Sequence, residues 1–480
     1  MQIKKLDDYR WEIPVGTRPG MRVPGLIFAD ERLMRDIQQD KSLEQVANVA
    51  TLPGIVKAAM AMPDIHWGYG FPVGGVAATD PERGGVVSPG GVGYDINCGV
   101  RLVRTKLKEE EVRPILKILI GQLFQHVPCG VGAGGDITFS EKEEKKILLE
   151  GAGWIVRQGY GTESDLEHTE SRGCLEGADP EAVSERAYER GAGQVGTLGS
   201  GNHFMEVQVV DQVFDRQAAD LFGLQEGSVT VMIHSGSRGL GYQVCDDYLE
   251  TARRASQKYG IDLPDRQLAC APVHSPEGKA YLGAMRAAAN YAWANRQLLM
   301  HRARIVFEQV FRSSWSALGM SLIYDVAHNV AKMEKYTVDG KERMLCVHRK
   351  GATRAFPAGH PELPPMVRPY GQPVIIPGDM GRNSYLLIGG AKSMEESFGS
   401  TCHGAGRVMS RTAAVKNARG RSIRRELEDR GIIAMARGRT GLDEEQPAAY
   451  KDVNEVVRVV DEAGLARRVC RMRPMGVIKG

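Results

Sequence analysis

The 480-residue chain is short of several things, and each shortage excludes something. Aromatic residues make up only 6%. No apolar run approaches the ~18 residues that a membrane span needs, so no membrane role is expected. The N-terminus, Met1-Gln2-Ile3-Lys4-Lys5-Leu6-Asp7-Asp8, has no apolar stretch of the kind a secretory signal carries. Eight cysteines are scattered singly, and none forms a Cys-x-x-Cys pair. That excludes a disulfide scaffold, points to a reducing cytoplasm, and leaves lone thiols as ligands or inert core residues. Internal repeats and low-complexity linkers are missing too. Walker A is absent, since Glu277-Gly278-Lys279-Ala280 lacks both the leading glycine and the hydroxyl. There is no His-Glu-x-x-His. The Lys-x-Asp-Gly of lysine-nucleophile ligases is missing as well; the nearest run is Lys335-Tyr336-Thr337-Val338-Asp339-Gly340. The glycine cluster Gly130-Val131-Gly132-Ala133-Gly134-Gly135 stands alone and reads as a loop.

Glycine, by contrast, is abundant: 57 residues, against a usual share of about 7%. Many tight turns and close backbone approaches follow. Charge is nearly balanced, 62 basic against 59 acidic, which argues against a general polyanion coat but permits a local patch. Between Ala405 and Thr440 ten basic residues (the last Arg439) face three acids, and Leu465–Gly480 holds five basic residues and no acid. A solvated helix face and a phosphate-rich partner both fit those stretches.

Helical and strand signals are mixed along the whole length. Strands are expected at Val100–Leu107, His203–Val210, Ser228–His234, Leu322–Val326, Met344–Val347, Val374–Pro377 and Tyr385–Ile388. Helices are expected at 141–158, 180–190, 241–259, 277–311, 404–418, 421–430 and 451–463. The class is α/β, mixed α+β, without the regular alternation of a Rossmann or TIM layout. Polar motifs run from Asp64 to the last residues. The expected organisation is therefore one interleaved catalytic domain over residues 1–480, with a helical excursion at about 240–315.

Four histidines sit among small residues at apparent strand ends: Gly201-Asn202-His203-Phe204, Ile233-His234-Ser235-Gly236-Ser237-Arg238, Val326-Ala327-His328-Asn329 and Cys402-His403-Gly404-Ala405-Gly406-Arg407. A fifth group is Gly93-Tyr94-Asp95-Ile96-Asn97-Cys98-Gly99. A satisfied core histidine explains any one of these, but not all of them together. Asp95, Cys98, His203, His234 and His328 offer one oxygen, one sulfur and three nitrogens. Two metals sharing the Cys98 thiolate could use that set, and a metal pair suits phosphoryl chemistry. Ligand softness alone favours Zn²⁺ over Mn²⁺. His403 suits covalent nucleotide transfer, because a neutral imidazole can attack phosphorus and the phosphoramidate is labile. The glycines after it leave room for phosphate, with backbone N–H groups expected at a helix start.

Together with Met62-Pro63-Asp64-Ile65-His66-Trp67-Gly68-Tyr69-Gly70-Phe71-Pro72-Val73-Gly74-Gly75 and the terminal Val477-Ile478-Lys479-Gly480, these motifs resemble the RtcB family over essentially the whole chain. Members are tRNA-splicing ligases that join RNA 3′-phosphate ends to 5′-hydroxyl ends. The resemblance implies a β-rich core wrapped by helices. It also implies two Mn²⁺ ions on Asp95, Cys98, His203, His234 and His328, overruling the softness argument, and His403 as the residue that takes GMP from GTP. The implied nucleotide pocket uses Asn202, His203, Phe204, Met205, Glu206, His328, Asn329, Pro377, Gly378, Asp379, Met380, Ser384, His403, Gly404, Ala405, Gly406, Tyr450 and Lys479, with Glu206 accepting from guanine. Asp379 stands where the family's turn leads one to expect serine. Arg238, Arg407 and Arg411 are candidates for RNA phosphates, since arginine offers a bidentate fork. RNA ends are the implied substrate, in tRNA splicing or RNA repair, and archease is an implied partner. A two-metal RNA-end phosphoesterase and a non-enzymatic RNA-binding protein remain alternatives.

Overall fold

The computed structural model describes residues 1–130, 132–438 and 440–480. Val131 of the glycine cluster and Arg439 of the basic stretch lie outside the described residues. Two mixed sheets form the core. The first has seven strands in the order Lys4–Lys5, Arg10–Ile13, Gly25–Phe28, Ile55–His66, Val73–Thr79, Lys341–Lys350 and Asn329–Val338. The second runs Ser321–Ala327, Gly99–Lys108, Ser228–Ser235, Phe204–Val213, Ala466–Lys479, Ser384–Gly389 and Pro373–Ile376, with Ile433–Ala436 added in parallel beside Ala466–Lys479. The chain passes from the second sheet to the first at a single residue, His328, between Ser321–Ala327 and Asn329–Val338.

The helix Pro276–Phe311 is the frame of the second sheet. Ser275 caps it by accepting the Gly278 N–H, Pro276 supplies a preset φ in its first turn, and its alanines let neighbours approach closely. Several of its buried side chains are polar. Arg296 and Arg101 share the carboxylate of Asp325, all three with no exposed surface, through bonds of 2.8 Å. Trp293 Nε1 donates to the same carboxylate at 3.0 Å. Arg296 also donates to the Asn97 carbonyl (2.7 Å) and the Ser235 carbonyl (3.0 Å). The helix therefore fixes the turn that carries Cys98 and the end of the strand that carries His234.

Most expected elements form within a residue or two of their expected bounds. One bound differs where it matters. The helix expected at 404–418 begins only at Arg411, and His403 to Ser410 is loop. Gly406 has a φ of +74° and packs where a Cβ would lie 2.2 Å from the Asp64 carbonyl oxygen. A helical path would break that close approach. The basic C-terminal stretch also differs from a free patch, because it is the central strand Ala466–Lys479. Arg467, Arg468, Arg471 and Arg473 pair with Asp215, Asp461, Asp211 and Glu109, and Lys479 is buried 3.7 Å from Glu445. No helix among the described residues is long and apolar enough to cross a membrane.

Candidate active site

Neighbouring strands lie about 4.8 Å apart, so residues at matching strand ends meet at one edge. In the second sheet the register pairs Ala327 with Gly99, Gly99 with Ser235, Val100 with His234, and His234 with Phe204. Cys98, His203, His234 and His328 sit at or next to those ends. Cys98 Sγ lies 3.1 Å from His234 Nε2 and 3.5 Å from His203 Nε2, and Asp95 Oδ2 lies 2.8 Å from His203 Nε2. Asp95, Cys98 and His203 thus form one compact donor group, all within 4.8 Å. His234 continues it, and its ring centre is 5.5 Å from that of His328. His328 Nδ1 is bonded to Thr353 Oγ1 at 2.9 Å, which leaves Nε2 buried without a partner. The Nδ1 atoms of His203 and His234 are also buried and unpartnered.

This donor set fits metal ions. Burial holds His234 and His328 well below the ordinary imidazole range, so both rings are neutral and each has a nitrogen lone pair to offer. Burial alone pushes the Asp95 carboxyl up, but His203 and Arg238 outweigh it and hold it down to about 2. Burial and the neighbouring Asp95 push the Cys98 thiol well up. A thiol so placed becomes a thiolate only beside a strong cation. Gly236 is required here, since a Cβ would stand 2.2 Å from Asp95 Oδ1.

The sheet edge opens into a cavity of about 290 Å³ lined from both sheets. His403 enters it just beyond the short strand Ser400–Cys402, and its ring centre is 5.4 Å from that of His328. Its orientation is set by Asp64, which is fully buried in the strand Ile55–His66. Asp64 Oδ2 accepts from His403 Nδ1 (2.6 Å) and from the backbone N–H groups of His403 (2.9 Å) and Gly404 (3.3 Å). Burial favours the acid form of Asp64, yet the His403 imidazole and its hydrogen bonds hold the carboxyl below the ordinary range. An ionised Asp64 keeps the proton on Nδ1 and leaves Nε2 with its lone pair. The backbone N–H groups of His403 and Gly404 are thus committed to Asp64, and the helix start lies further on, at Arg411.

The remaining expected nucleotide residues divide clearly. Asn202, Phe204, Glu206, His328, Asn329, Pro377, Gly378, Asp379, Met380, Ser384, Gly404, Ala405, Gly406, Tyr450 and Lys479 all line the cavity. Met205 points to the opposite face of its strand and packs in the apolar core, and His203 sits in the donor cluster instead. Burial raises the Glu206 carboxyl to about 8, even with Lys479 nearby, and Gln208 donates to it at 2.6 Å. Asp379, pushed up to about 6 by burial, accepts from the Gly381 N–H at 3.0 Å. Arg407 and Arg411 line the cavity as well. Arg407 is held by Glu445 (3.1 Å) and the Tyr450 hydroxyl (3.1 Å), whereas Arg411 stands 3.8 Å from Glu445. Arg238 lies behind Gly199, near Asp95, with its Nε donating to Thr197 Oγ1 at 3.2 Å.

Asp64, Glu445, Lys350 and Thr353 join the site without being expected from the sequence. Asp64 lies in the Met62–Gly75 motif, whose conjunction with the His403 motif is its only signal in the sequence. Glu445 sits in a short acidic run with no local signal.

The family model described as tRNA-splicing ligase RtcB matches residues 45–480. The tRNA-splicing ligase RtcB of Archaeoglobus fulgidus is 57% identical over 478 residues, covering 100% of this chain and 99% of the relative. That of Thermococcus kodakarensis is 55% identical over the same span. The RNA-splicing ligase RtcB of Mycobacterium tuberculosis is 53% identical over 438 residues, which is 91% of this chain and all of the relative.

Proposed function

The chain belongs to the RtcB family of tRNA-splicing ligases and is an RNA ligase, and from that premise we propose that it consumes GTP and joins RNA ends through a guanylylated His403. The observation that carries this reading is the clamp of His403 Nδ1 by the buried Asp64, which leaves Nε2 free at the cavity wall. The Nε2 lone pair attacks the α-phosphorus of GTP. A P–N bond forms, the bond to the β-phosphate oxygen breaks, and pyrophosphate leaves. Asp64 offsets the positive charge that the imidazole gains, with the proton staying on Nδ1. An oxygen of the RNA 3′-phosphate then displaces His403 from phosphorus, giving a 3′-pp-5′-G end. The 5′-hydroxyl of the second strand attacks that 3′-phosphorus, loses its proton, and expels GMP. A 2′,3′-cyclic phosphate is first opened by water to a 3′-phosphate in the same cavity.

Asp95, Cys98 and His203 would hold one Mn²⁺ and Cys98, His234 and His328 a second. Such ions neutralise phosphate charge and polarise entering and leaving oxygens. Glu206, when ionised, accepts the guanine N1–H and N2–H groups, which adenine cannot offer. Phe204, Asn202 and the 377–380 turn shape the rest of the nucleotide pocket. Arg407, Arg411 and Arg238 are assigned to RNA phosphates. In this reading the substrates are tRNA exon halves or broken RNA ends in the cytoplasm, and archease is the activating partner.

Incubation with α-labelled GTP and Mn²⁺ tests the proposal. Acid-labile label should appear on His403 and vanish in His403→Ala, while that variant keeps its bound metal. A phosphoesterase would release phosphate from RNA ends and take no label.

A further inference from the structure

Tyr94 immediately precedes Asp95 and lines the cavity, yet none of the chemistry above uses it. It belongs to a continuous aromatic and cationic stack. Its ring stacks on Tyr242 with centres 4.7 Å apart and planes 24° from parallel. Tyr69 meets it edge-on at 5.7 Å. On Tyr242, in the second turn of the helix Arg238–Lys258, rests the guanidinium of Arg190, 4.8 Å from the ring centre. Arg253, further along that helix, is paired with Glu250 at 2.6 Å. Tyr242 is 44% exposed, and Arg190 and Arg253 are exposed too. The stack therefore starts in the cavity and ends in solvent, and core packing does not require it.

Its place in the row of reacting groups is informative. From His403 the row runs through His328 (ring centres 5.4 Å apart), His234 (5.5 Å further), Cys98 (3.1 Å from His234) and Asp95 to Tyr94. His403 thus adjoins the His328 side of the donor group, and Tyr94 adjoins its Asp95 side. In the joining step GMP leaves the RNA 3′-phosphorus, and the entering oxygen must approach in line from the far side. With the guanylate toward His403 and Glu206, the entering 5′-hydroxyl comes from the Asp95–Tyr94 end. A strand with a free 5′-hydroxyl has no terminal phosphate for arginine to grip. The largest handle near the reacting atom is its first base, and an aromatic face holds any base.

We propose that Tyr94 is the stacking platform for the first nucleobase of the 5′-hydroxyl RNA strand, held in place by Tyr242 and Arg190. Tyr94 touches substrate, while Tyr242 and Arg190 are positioning residues. The inference rests on the RNA-joining reading above.

The test compares two 5′-hydroxyl strands, one intact and one abasic at its first nucleotide, in joining to a common 3′-phosphate strand. With the normal protein the intact strand should have a KM about tenfold lower, the lower part of the range for loss of one stacked base. Tyr94→Leu should bring the two strands level by raising KM for the intact one, and Tyr94→Phe should keep the difference. Tyr242→Leu, on the exposed helix face, should move KM in the same direction by a smaller factor, and it guards against misfolding of the Tyr94 variant. If the normal protein joins both strands equally well, or Tyr94→Leu slows both equally, the platform is wrong. Loss of stimulation by a protein partner, with the base effect intact, would assign the stack to that partner and overturn the proposal. Should the normal protein neither take label from GTP nor join any ends, the failure lies with the RNA-joining reading instead.

Discussion

Substituting Asp64 separates what this carboxylate does by charge from what it does by shape. Three donors converge on one oxygen, Oδ2, at 2.6, 2.9 and 3.3 Å, and the residue has no exposed surface. Asp64→Asn can keep its carbonyl oxygen on that spot, so the proton stays on Nδ1 and Nε2 keeps its lone pair. Only the negative charge is lost. A hydrogen bond to a charged group contributes about 1.5–3 kcal/mol, against roughly 1 for a neutral pair. Since the imidazole becomes cationic as Nε2 bonds to phosphorus, most of that difference falls on the transition state. The single-turnover rate of label transfer from GTP should fall by about two- to thirtyfold, tenfold corresponding to about 1.36 kcal/mol. Asp64→Ala should be worse by a further order of magnitude. It strands three buried donors, each costing about 1–3 kcal/mol, and should lower the melting temperature as well. The carboxyl is held below its ordinary range, so its contribution to stability is present above pH ~4 and lost only as pH falls through that lowered value. Label transfer between pH 6 and 8 should therefore carry no signature of Asp64. Transfer by Asp64→Asn within twofold of normal would refute the reasoning. So would a loss of rate matched by an equal loss of GTP affinity.

Cys98→Ala should abolish binding of both ions together, measured as metal content after gel filtration; retention of one full equivalent would show that the thiolate is not shared. Glu206 is raised to about 8 by burial, and guanine takes its ionised form, so nucleotide binding should release a proton. Affinity for guanosine nucleotides measured by calorimetry should rise toward pH 8, by up to about tenfold per pH unit, and Glu206→Gln should flatten the profile. The same raised carboxyl makes the nucleotide-free protein less stable as pH rises from about 4.5 to about 8, because the folded state holds the proton more tightly. Asp325→Asn leaves Arg101 and Arg296 buried without their counter-charge and should cost about 3–5 kcal/mol in denaturant unfolding; a loss under 1 kcal/mol would contradict the role given to that cluster.

Much of the site was readable because its residues lie beside glycine turns at strand ends, where local pattern and function coincide. Asp95, Cys98, His203, His234 and His328 come together as that pattern suggests. What could not be read depends on pairing between distant segments. Asp64 reaches His403 across 339 positions, and no strand is expected from the sequence at Ile55–His66, which carries it. The C-terminal arginines looked like a patch because their acids, from Glu109 to Asp461, are brought alongside only when Ala466–Lys479 enters the sheet. Glycine spacing after His403 resembled a helix start. Tertiary contact between Gly406 and the Asp64 carbonyl overrides it. The family resemblance implies both Met205 and Glu206 in the nucleotide pocket, but the two-residue period of a strand sends neighbours to opposite faces. Only Glu206 lines the cavity.

The central claim is that His403 carries the guanylate on its way from GTP to RNA. A pulse–chase tests it most directly. Protein labelled with α-labelled GTP and Mn²⁺ is freed of nucleotide, then mixed with RNA bearing a 3′-phosphate but no 5′-hydroxyl partner strand. The account predicts that label leaves His403 and appears as 3′-pp-5′-G on the RNA, and that adding the 5′-hydroxyl strand then releases labelled GMP as joined RNA forms. Label that stays on the protein while joined RNA accumulates would contradict it.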